Sequence, residues 1–131
     1  MKQLLIILSF WMITNVTLAG PEHDHGAPTF QAKHGGSLQS THENHFELVL
    51  TGQTLKLYVY DEKGQDLLTQ RFKIKTELEL PKNKKKPILF KDQKTHWQSE
   101  FNWQGQHRVT VKVNVFDGKE SDNVQFTLEN K

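Results

Sequence analysis

The sequence predicts an all-β protein, an immunoglobulin-like sandwich of about seven strands, with a small closed β-barrel as the alternative. Three observations predict it. Apolar and polar residues alternate from His45 to Leu128, the signature of strands with one buried face. The alternating runs recur about every eight to twelve residues, with Gly- and Asp-containing turns between them. No segment sustains a helical period.

The first run places Phe46, Leu48 and Leu50 on one face and His45, Glu47 and Val49 on the other. Thr51-Gly52-Gln53 turns the chain. Leu55, Leu57 and Val59 then alternate with Lys56, Tyr58 and Tyr60, and Asp61-Glu62-Lys63-Gly64 forms a second turn, with Gly64 placed for a positive φ. Phe72 and Ile74, then Leu78 and Leu80, carry the alternation onward, and the charged run Lys82–Lys86 interrupts it. Ile88 and Phe90 suggest one short strand, Phe101 and Trp103 another. Val109, Val111, Val113 and Val115 form the most regular strand, and Val124, Phe126 and Leu128 close the domain.

Residues 1–19 have one lysine, an apolar centre and a small-residue exit at Ala19, the pattern of a secretory signal peptide. Export to the periplasm follows, with no stable membrane insertion after signal cleavage. Residues 20–33, rich in Gly, Pro, His and acid, read as a flexible histidine-containing tail, and residues 34–131 as the sandwich domain. The formal charge of +2 falls to +1 without Lys2. This balance argues against nucleic acid as a partner, since phosphate binding needs a concentrated basic face. The Lys82–Lys86 run reads as a solvated loop or as a handle for an acidic partner or anionic lipid.

Of seven histidines, His23, His25, His34, His42 and His45 fall within one short stretch. Neutral imidazole is the commonest metal-binding side chain, so the cluster points to a metal ion. There is no cysteine, and both methionines lie in the leader. Without soft sulfur ligands, the expected ion is divalent: Zn(II), Cu(II), Ni(II) or Co(II). His45 and Glu47, two apart on a strand, project from one face about 6–7 Å apart and could share a cation. His34, before a glycine pair, joins them if residues 36–40 pair back on 45–49 through the turn Thr41–Asn44. His42 at the turn tip and the His23/His25 pair are weaker candidates.

His42-Glu43-Asn44-His45 is not the zinc-protease motif, whose histidines lie four apart on a helix. No nucleophile elbow, phosphate loop or isolated acid–base pair occurs, so no catalytic residue is assigned and the chain reads as a non-enzyme. His96, Trp97, Trp103 and His107 could form a second imidazole and aromatic site, but core or sheet-face packing is the simpler role for the tryptophans.

The elements His34-Gly35-Gly36, His45-Phe46-Glu47-Leu48-Val49, Leu55–Tyr60 and Asp61-Glu62-Lys63-Gly64 together resemble a small periplasmic histidine-containing domain. That domain is found alone or at the amino end of adaptor subunits of resistance-nodulation-division heavy-metal efflux pumps. The likeness covers about Lys33 to Leu68. Gln65 stands where the family usually has proline, and Thr41–Asn44 where it is often glycine-rich. The resemblance implies a divalent-metal buffer or carrier serving an efflux system, with His34, His45 and Glu47 as candidates. The alternative is a secreted interaction module that binds no metal.

Overall fold

Alternating side chains produce extended strands with one oily face, and two such faces close on each other. The computed structural model describes residues 30–131. The expected signal peptide and residues 20–29 of the expected tail, including His23 and His25, lie outside the described residues.

Among the described residues nine strands follow in order: β1 Ser37–Ser40, β2 Asn44–Thr51, β3 Thr54–Asp61, β4 Lys73–Leu80, β5 Lys84–Pro87, β6 Lys91–Asp92, β7 Trp97–Glu100, β8 Arg108–Phe116 and β9 Ser121–Glu129. They form two antiparallel sheets, ordered β1-β2-β3-β7-β6 and β5-β4-β8-β9. Without the short edge strands β1 and β5, the orders β2-β3-β7-β6 and β4-β8-β9 match the four-plus-three arrangement of an immunoglobulin sandwich. Both sheets keep open edges, so the barrel alternative does not hold.

The core lies between the sheets. Phe46 and Leu48 of β2, with Leu55, Leu57 and Val59 of β3, face Val109, Val111, Val113, Val124 and Phe126 of the second sheet, all buried. Each of these positions was legible from period two. The expected hairpin also forms: Ser40 pairs with His45 and Ser37 with Leu48, which sets β1 along β2.

Three expected elements sit differently. Lys84–Pro87, within the charged run, is strand β5, hydrogen-bonded along Glu77–Leu80 of β4. An edge strand can carry three successive lysines before its proline because its exposed side need bury nothing, and edge lysines discourage intermolecular pairing. Ile88–Phe90 is the crossing between sheets and not a strand. Phe101 and Trp103 follow β7 instead of forming a strand; their rings meet edge-on at 5.0 Å. In the preceding β7, Trp97 and Ser99 point inward and are buried.

Leu57 is fully buried near the middle of β3. Leu57→Ala should lower the unfolding free energy by about 2–5 kcal/mol, read as a lower urea midpoint at unchanged slope.

Candidate functional site

The outer face of the first sheet carries His45 and Glu47 from β2 and Tyr58 and Tyr60 from β3. Pairing of the two strands sets Glu47 opposite Tyr58 and His45 opposite Tyr60. Phe30 to Gly36 runs across this face as a strap. Phe30 stacks on the His45 ring at 4.7 Å and packs on Tyr60 at 4.9 Å. Lys33 reaches over the Tyr60 ring, with Nζ 4.8 Å from its centre, and pairs with Asp66 at 3.0 Å. His34 lies flat on Tyr58 at 3.9 Å. Residues 30–33 therefore belong to the packed domain, and the expected tail boundary at 33 moves back at least to Phe30.

At the centre of the strap sits Glu47, with no solvent exposure although it points away from the core. Its carboxylate is filled by donors. Oε1 accepts the backbone N–H groups of His34 at 2.8 Å and Gly36 at 2.9 Å. Oε2 accepts the Tyr60 hydroxyl at 2.7 Å and the Lys33 N–H at 3.1 Å, and the His34 Nδ1 lies 3.2 Å away. Burial pushes the Glu47 pKa up, but the hydrogen bonds from Tyr60, Gly36 and His34 outweigh it and hold the carboxyl below its ordinary value. Burial, followed by the Glu47 hydrogen bond and charge, pushes the Tyr60 hydroxyl well above its ordinary value, so it stays a donor.

The two glycines of the motif serve different purposes. Gly35 has φ +73°, a left-handed conformation that L side chains resist. This turn aims the N–H groups on either side of it at one oxygen, a backbone anion nest. Gly36 has no room for a side chain: a Cβ there would lie 2.4 Å from the Leu48 carbonyl oxygen.

These contacts also fix the His34 tautomer. The single Tyr60 hydroxyl proton goes to Glu47, so the tyrosine oxygen, 3.0 Å from Nδ1, can only accept. Nδ1 therefore carries the ring proton, and Nε2 offers its lone pair from a side chain 41 % exposed.

His45 and Glu47 do share a face, as their spacing predicts, but they do not converge on one cation position. The Glu47 oxygens are committed to N–H and O–H donors. The His45 Nδ1 lies 2.7 Å from the Ser40 hydroxyl and its Nε2 3.4 Å from the Glu62 carbonyl. With Nε2–H directed at that carbonyl, Nδ1 accepts from Ser40, which leaves no free lone pair. His42 is exposed at the β1–β2 turn. His96 approaches Tyr58 at 5.1 Å, Trp97 is core, and His107 is exposed. Among the described residues, no three His, Asp or Glu side chains are grouped so as to hold a metal ion.

Sequence reasoning missed the partners of Glu47. Tyr60 occupies an outward position yet is fully buried, because the strap covers it. One signal was available: an aromatic residue, Phe30, in an otherwise polar tail, opposite a strand with two outward tyrosines.

The architecture defines an immunoglobulin-like sandwich with an amino-terminal strap locked to its outer face. It is similar to the crystal structure of a DUF4426 family protein from Pseudomonas aeruginosa, with TM-score 0.58 and 9 % identity over 72 % of this chain and 96 % of that one. No family model and no curated protein matches the sequence.

Glu47→Gln turns an amide NH2 toward N–H donors and should cost about 3 kcal/mol. Gly36→Ala should cost about 1–3 kcal/mol by overpacking, both read from urea denaturation. Because the folded-state pKa of Glu47 lies below the unfolded value of about 4.3, its stabilisation is complete above that pH and fades as pH falls through the folded value. Urea midpoints measured across the acid range should therefore fall less steeply in Glu47→Gln than in the wild type.

Proposed function

We propose that this chain is an exported, non-catalytic carrier of divalent transition-metal ions, with His34 as the ligand presented by the folded domain. One observation carries the reading: the His34 Nδ1 lies 3.2 Å from a buried carboxylate, and the imidazole belongs to a side chain 41 % exposed. Metal-binding histidines generally have this support, a carboxylate that fixes tautomer and ring orientation and raises basicity. Glu47 then acts through His34 and is not itself a ligand.

A single imidazole holds an ion weakly, so further ligands come from the preceding chain. His25 precedes Phe30, where the strap is anchored, by five residues, a reach of up to about 17 Å from that anchor when extended, and His23 adds another imidazole. His45, with both ring nitrogens engaged, contributes packing against Phe30, and exposed His42 is an auxiliary ligand at most. A site completed by separate chain segments suits an ion that is picked up and handed on. The resemblance of His34-Gly35-Gly36 and His45-x-Glu47 to the efflux-associated domain supports a periplasmic efflux component as the recipient. The metal-free interaction module is the competing reading, and the Tyr58 ring between His34 and His96 is the surface it would use.

Titration of the protein with Zn(II), Cu(II) and Ni(II), followed by calorimetry and by imidazole NMR signals, tests the proposal. His34→Ala keeps the backbone donors to Glu47 and should abolish the tightest binding step. Glu47→Gln should weaken it about 10–100-fold, and His23→Ala with His25→Ala should weaken it without altering stability. Equal binding by wild type and His34→Ala would overturn the assignment.

A further inference from the structure

We propose that the β5 edge and the segment after it, Lys82 to Lys91, dock on an anionic lipid surface. Lys82, Lys84, Lys85, Lys86 and Lys91 are all exposed within ten residues. Among the described residues, Lys85 alone of these has a carboxylate at ion-pairing distance, Glu77 at 3.4 Å. The strand starts from a turn in which Lys82 and Asn83 both hold left-handed backbone, φ 65° and 59°.

Leu89 stands in the middle of this charge, 84 % exposed. Its neighbours turn the other way: Ile88 is buried in the core and Phe90 packs partly against it, while Leu89 between them stays in solvent. Protection of an open sheet edge explains the lysines of β5. It does not explain a leucine held out beside them. A bilayer with acidic headgroups answers both features, because its surface potential attracts the lysines while its acyl boundary accepts the leucine. This surface is separate from the His34 site, and the proposal does not depend on metal binding.

Co-sedimentation of the full chain, as cells process it, tests this with phosphatidylcholine vesicles alone and with about a third phosphatidylglycerol. Any contribution from the apolar leader is common to all variants and to the neutral vesicles. Binding should require phosphatidylglycerol and weaken with added salt. Lys84→Gln, Lys85→Gln and Lys86→Gln together should lower it about a hundredfold, at about fivefold per lysine. Leu89→Ser, which leaves every charge in place, should lower it about tenfold. These exposed positions leave the fold intact, so unchanged urea midpoints should accompany both losses. No preference for the anionic vesicles would overturn the proposal. So would full binding by Leu89→Ser with equal capture by a polyglutamate resin, which would assign the surface to acidic proteins.

Discussion

A carboxylate removed from water must be surrounded by donors or it will not stay ionised. Glu47 meets that requirement on the outside of the sandwich, where a strand residue would ordinarily meet solvent. Three backbone N–H groups, a tyrosine hydroxyl and an imidazole supply the donors. The arrangement of the strap follows from that demand. Gly35 supplies the turn that aims two N–H groups at one oxygen, and Gly36 lets the backbone pass beside Leu48. Phe30, Lys33 and His34 then cover the tyrosines that would otherwise be left open.

The same constraint connects stability to the candidate chemistry. The carboxylate that fastens the strap also sets the proton position on the His34 ring, so the Nε2 lone pair depends on the lock being closed. Tyr58 stacks under His34 and Tyr60 donates beneath it, both from β3. The ring is thus held by a stiff element even though His34 lies outside any strand. An imidazole held this way would lose little freedom on binding a cation or a partner.

Most of the sandwich was legible because burial on one face imposes period two, which β8 and β9 obey without interruption and which β2 and β3 break where the strap buries Glu47 and Tyr60. The weaker elements were those where burial does not decide. Strand β5 is set by hydrogen bonds to β4 and has no apolar residue before Pro87, so pattern reading took it for a loop. Glu47 misled for a related reason. Strand spacing correctly places it outward beside His45, where the two could share a cation, but spacing carries no sign of the strap that fills its carboxylate with donors. The strap that buries it comes from residues whose composition suggested a tail, and no period in them reveals where they lie. The glycine pair and the lone Phe30 were the local traces of that covering.

The claim at the centre is that Glu47 is an ionised carboxylate held by the N–H groups of the strap. Side-chain carboxyl carbon NMR, followed as the pH is lowered, tests it directly. The account predicts that Glu47 titrates below the usual glutamate value of about 4.3 and that the His34 and Gly36 amide protons shift in step with it. A Glu47 signal that titrates in the ordinary range while those amides stay still would contradict the account.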